Sequence, residues 1–416
     1  MRILFITQWF QPEPFINGLH FIKELVNFGH EVQVLTGFPN YPGGRVYDGY
    51  RIRLLQREDM DGVPVIRVPL YPSHDRSGIR RFANYTSFAL SASAIGPWVT
   101  SRADVAYVYH PPATVCIPAC VFRVLRRIPF VYNIQDLWPD ELATSKMLQN
   151  RFGLWLAERC CRFFYWAASK IVVLSPGFKE ELCRRGVPRD KIEVIYNWCA
   201  DGESNVRSVE KDPDLATKLG LTGRFNVLFA GNMGEGQALG SVLEAARIVH
   251  NKCPRVQFVL IGSGTEAGNL RQKAADLALK NVLFLDRRPP SEIGAILSRA
   301  DVLLVHLSDN ALHKITIPSK TQAYMLAGKP ILMGVKGDAA ELVKTAKAGL
   351  TCEPENPKSI AETIQRFEAM PRAELDRMGE NGKIFYQQEL SVAIGAKRYE
   401  EIFRAVARKR PGLQKE

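Results

Sequence analysis

A glycine-rich loop is the pattern in this sequence that most directly indicates a binding chemistry. Gly231-Asn232-Met233-Gly234-Glu235-Gly236 follows a short apolar run, Asn226–Ala230, and precedes a helical stretch, Leu239–His250. Glycines let backbone N–H groups approach an anion closely, and the start of the following helix favours negative charge. An ordinary strand-to-helix turn is the alternative. The loop predicts a phosphate site at Gly231, Asn232 and Gly234.

A lysine at a helix start is the second such pattern. Ile317-Pro318-Ser319-Lys320 precedes the helical run Thr321–Leu326, and Pro318 and Ser319 are residue types that begin helices well. Lys320 then falls in the first turn, where the helix dipole disfavours a cation. A bound diphosphate would remove this conflict, whereas the alternative is a solvated lysine. We expect an exposed Lys320 that contacts a diphosphate, with Ser319 beside it.

Polar residues also follow two apolar runs in the first half of the chain. Gln135 and Asp136 come directly after Phe130–Ile134, and His110 ends another such run. An acid placed there can orient a hydroxyl group or stabilise developing positive charge. The alternatives are helix capping by Asp136 and a structural role for His110. We predict catalytic roles for Asp136, Gln135 and His110.

Three weaker motifs indicate little chemistry. Gly262-Ser263-Gly264 follows a strand, but its spacing does not match a dinucleotide fingerprint. Asp59-Met60-Asp61 has the letters of a metal motif but reads as a turn without a third ligand. Cys116 and Cys120 lack a second pair at zinc-ligand spacing. The sequence predicts neither a metal site nor a bound cofactor.

The elements that would position these residues alternate between strand and helix. In the first half, short apolar runs separated by helical stretches open with a strand–loop–helix–strand pattern, which is typical of a doubly wound parallel sheet. The predicted strands are Arg2–Thr7, Glu31–Leu35, Val65–Val68, Val105–Tyr109, Phe130–Ile134, Lys170–Leu174 and Ile192–Tyr196, with a helix at Leu19–Phe28.

The alternation restarts after a polar stretch. Strands are predicted at Asn226–Ala230, Val256–Ile261, Val282–Leu285, Val302–Val305 and Pro330–Met333. We expect an α/β protein with two Rossmann-like domains that face a cleft, the ligands binding at the carboxyl ends of the strands. The predicted division is 1–200, a linker at 201–223, a second domain at 224–385, and a C-terminal helical segment, 386–416, packing back on the first domain.

Composition sets the class of protein. The chain has 416 residues, of which 46% are hydrophobic and 24% charged, as in ordinary globular domains. Its formal net charge of +12 is compatible with phosphate-bearing ligands or a membrane surface, but no nucleic-acid-binding signature accompanies it. No apolar run is long enough to span a bilayer and no secretory leader is evident, so we expect a cytoplasmic protein with reduced cysteines.

Aromatic and basic residues are concentrated in the first 200 residues. This half contains all six tryptophans, and arginines flank its apolar stretches, which suits contact with an interface. Amphipathic helices with solvated basic faces are the alternative. We predict salt-sensitive, peripheral binding to anionic membranes through the basic residues, which are Arg76, Arg80, Arg81, Arg123, Arg126, Arg127, Arg159, Arg162 and Lys170.

Several segments together resemble glycosyltransferase family 4, whose members have the two-domain GT-B fold. The resemblance extends over nearly the whole chain and is based on Leu25–Val32, Val131–Pro139, Ala230–Gly234 and Pro318–Pro330. Within the family, Phe38–Tyr50 is similar to the bacterial fucosyl- and N-acetylfucosaminyl-transferases of O-antigen, capsule and colanic-acid assembly.

The resemblance implies a retaining, metal-independent transfer of a hexosyl unit from a UDP- or GDP-sugar to a lipid-linked saccharide. The C-terminal domain would bind the nucleotide-sugar donor, and the N-terminal domain would bind the acceptor at the cytoplasmic membrane surface. Acceptor contacts are expected at Asn17, Gly18, Tyr41 and Trp138.

The sequence departs from the family at the donor helix. The positions of two glutamates usual in the family hold Ile315 and Ala323, and the usual basic residues after the phosphate loop are absent. Substitute donor contacts are expected from Gln237, Arg287, Arg288 and Gln322, together with Lys320. Two other functions stay open at this stage, namely a catalytically silent transferase-like partner subunit and a non-hydrolysing nucleotide-sugar epimerase.

Overall fold

In a computed structural model of the chain, contacts divide the protein into two compact units. The N-terminal unit comprises Met1–Tyr196 together with the chain from Gly395 onward, and the C-terminal unit comprises Asn197–Ile394. The structure describes residues 1–14, 16–74, 77–144, 148, 150–199 and 214–408. The predicted linker therefore lies largely outside the described residues, as do Arg76 and residues 409–416 of the predicted C-terminal segment.

The described part of the N-terminal unit is built around an eight-stranded sheet of order β3-β4-β2-β1-β5-β6-β7-β8. Every neighbouring pair is parallel except β3 with β4. The central strands are continuous apolar runs because helices cover both faces of a parallel sheet. The strands are β1 (Arg2–Ile6), β2 (Glu31–Gly37), β3 (Gln56–Met60), β4 (Val63–Val68), β5 (Val105–His110), β6 (Phe130–Ile134), β7 (Lys170–Val173) and β8 (Ile192–Val194).

Helices connect these strands. Two of them, α2 and α5, are the longest of the connecting helices, and Pro97 lies inside the last turn of α2. The helices are α1 (Leu19–Asn27), α2 (Gly78–Val99), α3 (Cys116–Leu125), α4 (Asp140–Thr144), α5 (Arg151–Ala167) and α6 (Pro176–Arg184), with 3₁₀ turns at Ala113–Val115 and Arg189–Lys191.

The described part of the C-terminal unit contains a six-stranded parallel sheet of order β11-β10-β9-β12-β13-β14. The order in which successive strands are added to the sheet reverses between β9 and β12, and ligands bind at this point in open sheets of this kind. The strands are β9 (Phe225–Ala230), β10 (Val256–Ile261), β11 (Val282–Leu285), β12 (Val302–His306), β13 (Ile331–Gly334) and β14 (Gly349–Thr351).

The helices of this unit pack on both faces of its sheet and enclose a core of β9, β10 and the helix that follows β9. They are α7 (Leu215–Lys218), α8 (Leu239–His250), α9 (Ala267–Asp276), α10 (Pro290–Leu297), α11 (Ala311–Ile315), α12 (Lys320–Leu326), α13 (Asp338–Thr345), α14 (Pro357–Glu368) and α15 (Arg372–Phe385), with a 3₁₀ turn at Glu235–Gln237 and a π-helical turn at Tyr386–Leu390.

The last helix, α16 (Val392–Arg408), packs within the N-terminal unit from Gly395 onward. The Tyr399 ring lies 5.1 Å from that of Phe21, and Glu400 accepts a 3.0 Å hydrogen bond from His30 Nε2. Tyr399 also bonds Asn133 on β6 through its hydroxyl group. The C-terminal helix thus supports the strand that precedes Asp136.

The predicted strands are confirmed, with ends that differ by at most two residues. Sequence patterning missed β3, β14 and most of α2. Asp59 and Met60 end β3 rather than forming a loop, while Asp61 lies in the left-handed region and Asp59 Oδ1 accepts a hydrogen bond from Gly62 N at 2.8 Å. The Asp59-Met60-Asp61 motif is therefore a hairpin element, since short polar residues suit such turns.

Three further observations concern the described residues alone. No helix among them is long and apolar enough to cross a membrane. No group of three or more His, Cys, Asp or Glu side chains in those ranges is arranged to hold a metal ion. All eight cysteines are free thiols, and Cys116 is buried in the core.

Candidate active site

Two glycine-rich loops of the C-terminal unit cross backbone to backbone. A Cβ atom on Gly262 would lie 2.0 Å from the carbonyl oxygen of Gly231, and one on Gly264 would lie 2.4 Å from that of Met233. These glycines also have φ values of +139° and +158°, which side chains disfavour. The segment Gly262–Gly264 is therefore the support on which the predicted phosphate loop rests, a role that its spacing alone did not reveal.

Several N–H groups of the phosphate loop already donate hydrogen bonds to other groups of the protein. Gly231 N donates to Ile261 O at 2.9 Å and Met233 N donates to Ser263 O at 2.8 Å. Gly234 N donates to the Gln237 side-chain oxygen at 2.9 Å. The expectation that backbone N–H groups bind a phosphate is thus corrected for these three. The side-chain oxygen of Gln237 therefore shapes the loop.

Lys320 provides a positive group beside this loop. Its side chain runs toward Gly231, where a Cβ atom would lie 3.3 Å from Lys320 Nζ. The Nζ atom is buried, has no hydrogen-bond partner among the described residues, and lies 3.6 Å from the centre of the Phe229 ring. Burial lowers the pKa of Lys320 from 10.5 to about 7. The expectation of an exposed Lys320 is therefore wrong.

The buried ammonium group of Lys320 requires a counter-ion. An ammonium group without partners in a poorly solvated position is unstable unless an anion pairs with it. Cation–π contact with Phe229 offsets part of the cost but does not replace a counter-ion. The arrangement can bind an anionic group next to Gly231.

A cavity of about 370 Å³ lies at the carboxyl ends of β9 and β10. Gly231, Asn232, Gly262 and Ser263 line one side, and the predicted donor residues Arg287 and Arg288 line another. Arg288 Nε is buried without a hydrogen-bond partner in the part of the chain that the structure describes. The C-terminal unit therefore places two cationic groups around its glycine loops, the buried ammonium group of Lys320 and the guanidinium group of Arg288, which also lies 3.8 Å from Glu292 Oε2.

The remaining residues at the start of α12 have local roles. Ser319 has helical dihedral angles and its side chain caps no N–H group. The Gln322 side chain is buried and, with its amide oriented by hydrogen bonding, donates to the carbonyl groups of Pro318 and Ser319 at 3.0 Å. These hydrogen bonds give Gln322 a structural role, in which it holds the start of helix α12. Ala323 and Ile315 are half-buried apolar side chains, which cannot accept a hydrogen bond.

Sequence reasoning missed two histidines near the loop. His306 ends β12 and donates from Nδ1 to Gln237 O at 2.7 Å, while its Nε2 accepts from Glu355 N at 3.1 Å. His313 lies over Gly236, where a Cβ atom would be 3.7 Å from its ring. His306 holds the loop from the end of β12, whereas His313 on α11 hydrogen-bonds Ser308 and packs near Gly236. Only the pairing of β12 with β9 brings them there.

In the N-terminal unit, Asp136 follows β6 among aromatic residues. Burial and, to a smaller extent, the charge of Glu141 raise the pKa of the Asp136 carboxyl from 3.8 to about 7. The negative charge of Asp136 in turn raises the pKa values of Tyr41, Tyr85 and Tyr109, after their own burial. A carboxyl with a pKa near 7 is matched to proton exchange with a hydroxyl group near neutral pH.

Four aromatic side chains form the surroundings of this acid. Trp9 stacks on Tyr41 at 4.5 Å between ring centres, and Tyr85 lies 6.4 Å from Trp9 and 6.1 Å from Trp138. Tyr41 and Trp138 were predicted as acceptor contacts, whereas Trp9 and Tyr85 were missed because they lie on other elements. Flat aromatic surfaces beside a carboxyl group suit the apolar faces and hydroxyl groups of a sugar ring.

Glu13 holds Tyr41 in this cluster. Its Oε1 accepts hydrogen bonds from Asn40 N and Tyr41 N, both at 2.8 Å, and its Oε2 accepts one from Phe10 N at 3.0 Å. Burial raises the pKa of Glu13 to about 7, against the lowering effect of these bonds. The clue in the sequence was an acid between two prolines, Pro12 and Pro14.

His110 and Gln135 pack beneath this site. The His110 ring meets Trp138 edge-on at 5.6 Å, and burial lowers its pKa to about 3. Its Nδ1 has no partner among the residues described. Gln135 Nε2 donates to Asn133 Oδ1 at 2.7 Å. This geometry favours the alternative of a structural histidine and assigns Gln135 a positioning role.

Two predicted acceptor contacts lie in the interior. Asn17 is 1% exposed and donates from Nδ2 to the Tyr107 hydroxyl at 2.5 Å. Gly18 is buried against Gln11, whose amide nitrogen would lie 2.0 Å from a Cβ atom there. The prediction that Asn17 and Gly18 contact an acceptor directly is thus corrected, because both are buried in the segment just before helix α1.

Two doubly wound α/β units of this kind define the GT-B fold of glycosyltransferases, and the chain is a glycosyltransferase of that fold. Residues 19–198 match the model of the glycosyl transferase 4-like domain, and residues 212–385 match that of glycosyl transferases group 1. The chain therefore belongs to the family 4-type, group 1 glycosyltransferases. This result decides against the epimerase.

Three similar proteins illustrate the relationship. The "Putative colanic acid biosynthesis glycosyl transferase WcaI" of Escherichia coli is 25% identical over 392 residues, or 89% of this chain and 93% of that protein. The alpha-galactosylglucosyldiacylglycerol synthase of Streptococcus pneumoniae is 25% identical over 46% of this chain and 50% of its own. Among solved structures, Anabaena HepE in complex with UDP has a TM-score of 0.68 and 17% identity, covering 97% of this chain and 100% of that one.

Proposed function

We propose that this glycosyltransferase moves a hexosyl unit, with retention of configuration and without a metal ion, from a UDP- or GDP-sugar to a lipid-linked saccharide. The observation that carries the proposal is the buried, unpaired ammonium group of Lys320 beside Gly231. A nucleotide diphosphate is an anion that would pair with Lys320 and offer Arg288 a partner besides Glu292, next to a cavity of about 370 Å³. HepE, a protein of the same fold, was solved with UDP.

The C-terminal unit would supply the leaving-group chemistry. Bond cleavage between the anomeric carbon and the diphosphate leaves negative charge on the phosphate oxygens. Preorganised cations in a poorly solvated site stabilise such charge far better than they would in water. Lys320 has this placement. Arg288 lines the cavity as a partly exposed second cation, while Asn232 and Ser263 offer side-chain hydrogen bonds from the two loops.

The N-terminal unit would bind the acceptor. The aromatic side chains of Trp9, Tyr41, Tyr85 and Trp138 would pack against the sugar, and Asp136 would bond the attacking hydroxyl. In its ionised form Asp136 would also stabilise the positive charge that develops at the anomeric carbon. As the new bond forms from the acceptor oxygen, its proton passes to Asp136 or leaves with the diphosphate.

The sugar and acceptor classes are supported by one segment and by two relatives. Phe38–Tyr50, which resembles the fucosyl- and N-acetylfucosaminyl-transferase subgroup, carries Tyr41 and is held in place by Glu13. WcaI is named for colanic acid biosynthesis, and the Streptococcus pneumoniae synthase is named for a glycosylated diacylglycerol. We therefore propose an L-fucose-type hexosyl unit and a surface-polysaccharide intermediate, O-antigen or capsule, attached to a lipid of the cytoplasmic membrane.

The test is a donor panel with and without acceptor. Full-length protein is incubated with UDP- and GDP-sugars, including the L-fucose and N-acetyl-L-fucosamine types, in the presence of membrane lipid extract, and released nucleotide is measured. We expect release from one donor that depends on the extract, and glycosylated lipid in the organic phase. Donor conversion that is equal without extract, or no release with any donor, would refute the proposal.

A further inference from the structure

The outer side of helix α5 is apolar although it faces solvent. Five large apolar side chains of α5 are exposed, Trp166 at 73%, and their spacing places them on one side of the helix; they are Phe152, Trp155, Leu156, Phe163 and Trp166. The opposite side of the helix packs into the core. When a helix is apolar on both sides, its solvent-facing side needs a second apolar environment to cover it.

Helices α2 and α3 continue this surface. Trp98 on α2 and Val124 on α3 are 80% and 76% exposed, and Leu125 is exposed beside them. The backbone carbonyl next to Trp98, that of Pro97, accepts a hydrogen bond from Arg126. In the same way Ala167 O, next to Trp166, accepts one from Arg123. These two bonds bring the carboxyl-terminal ends of α2, α3 and α5 together.

A groove of about 500 Å³ joins α3 to α5. Its walls are apolar side chains and one cysteine, including Val121 and Val124 on α3 and Phe163 on α5. We call the surface formed by Trp98, Val124, Leu125, Trp155, Phe163 and Trp166 the apolar face. The groove joins its parts on α3 and α5, and the hydrogen bond from Arg126 to Pro97 O brings the end of α2 beside α3. Neighbouring exposed apolar side chains of this kind differ from singly scattered ones.

Positive charges predominate on the three helices that carry the apolar face. The sequences of α2 and α3 contain no aspartate or glutamate, and the single acid of α5, Glu158, pairs with Arg162 at 2.7 Å. Arg159 lies over the ring of Trp155 at 5.5 Å, and Arg127 is exposed. A second copy of the chain would bring like charges together, whereas anionic lipid headgroups complement them.

From this geometry we infer that the apolar face inserts into the interfacial layer of an anionic lipid bilayer, with aromatic burial rather than charge supplying most of the affinity. The guanidinium groups of Arg123 and Arg126 already bond backbone carbonyls, so these residues are poorly placed to reach phosphates. This changes the expectation from sequence, which was binding through the arginines and release by salt. Tryptophan suits the boundary because one edge of its ring is polar.

Such insertion would bring the enzyme to a lipid-linked acceptor, and this role rests on the proposed function. Full-length protein is sedimented with vesicles of phosphatidylethanolamine and phosphatidylglycerol in 0.1 M and 0.5 M NaCl. We expect sedimentation at both salt concentrations, and about a hundredfold weaker partitioning for the Trp98→Ala/Trp166→Ala variant, because two exposed indole rings no longer leave water.

A matched control replaces exposed apolar side chains elsewhere in the same unit. Leu54 is 74% exposed and Tyr71 is 47% exposed, and both lie outside the apolar face. The Leu54→Ala/Tyr71→Ala variant should sediment like the wild type. Binding of UDP and GDP, measured by calorimetry, should be the same in all three proteins, which shows that the variants are folded.

Three outcomes would overturn the inference. These are absence of sedimentation by the wild type, full release at 0.5 M NaCl, and a dimer in light scattering that the Trp98→Ala/Trp166→Ala variant loses. Failure of the proposed function would look different, because vesicle binding would persist while no nucleotide sugar released its nucleotide.

Discussion

Replacing Lys320 by methionine tests the donor site most directly. Methionine keeps an unbranched apolar side chain against the Phe229 ring but removes the ammonium group. In the folded protein without ligand, burial lowers the pKa of Lys320 from 10.5 to about 7. At pH 7 the unfolded chain therefore binds a proton that the folded protein holds only half of the time, so the lysine favours unfolding.

The size of this effect follows from linkage. One pKa unit corresponds to about 1.4 kcal/mol, so the depression destabilises the free protein by up to about 4 kcal/mol at pH 7. The unfolded chain binds more protons than the folded one between the two pKa values, so wild-type stability should rise as the pH rises from 7 toward 10.5. Lys320→Met should accordingly be more stable at pH 7, with little difference near pH 10.5.

Calorimetric melting and nucleotide titration measure the two consequences together. For a domain of this size, about 4 kcal/mol corresponds to a rise of roughly 8–16 °C in the melting temperature of the C-terminal unit. The same variant should bind the donor nucleotide about 30- to 1,000-fold more weakly, which is the range for losing 2–4 kcal/mol of preorganised electrostatic stabilisation. Stability and affinity should thus change in opposite directions.

Lys336→Met is the matched control within the same unit. The Lys336 ammonium is exposed and already pairs with Asp309 and Glu353, both at 2.8 Å. Its removal should lower the melting temperature slightly and leave nucleotide binding unchanged. The reasoning about Lys320 would be refuted by a Lys320→Met protein that melts no higher than the wild type, or that binds nucleotide as tightly.

The remaining predictions concern the acid, the loop crossing, proton uptake and the metal. The transfer rate should rise as the pH rises through about 7, because Asp136 ionises in that range. Asp136→Asn should lower the transfer rate about 10²–10⁴-fold and flatten its pH profile. A pH profile that this substitution leaves unaltered would show that Asp136 takes no part in the chemistry. Gly262→Ala should destabilise the C-terminal unit by about 2–4 kcal/mol in denaturant titration, since its Cβ would meet Gly231 O at 2.0 Å, while Gly268→Ala, where no atom lies within 4 Å, is the neutral control. Donor nucleotide affinity should fall about tenfold per pH unit above 7, because free Lys320 must then take up a proton, and a flat profile would contradict this. EDTA should leave transfer activity intact, and loss of activity that Mn²⁺ or Mg²⁺ restores would overturn the metal-independent mechanism.

Much of the fold was contained in local patterning. Runs such as Val256–Ile261 and Val282–Leu285 were predicted to the residue, because a buried parallel strand is a short continuous apolar segment between polar turns. The hairpin strand β3 was missed because its sequence, Gln-Arg-Glu-Asp-Met, is polar and lies at the sheet edge. The sequence also indicated which strand ends carry the site, since Asp136 and Gly231 follow their strands directly.

The roles of individual side chains depended on the tertiary structure. Lys320 and Gln322 belong to one short helix, yet the burial of Lys320 is set by Phe229 and Gly231, nearly ninety residues away. Likewise the close approach of Gly262 to Gly231 exists only because β9 and β10 pair side by side. Local sequence sets backbone conformation and which residues are apolar. Solvation, and with it the pKa of Lys320 or Asp136, is set by distant segments that pack around a group and exclude water from it.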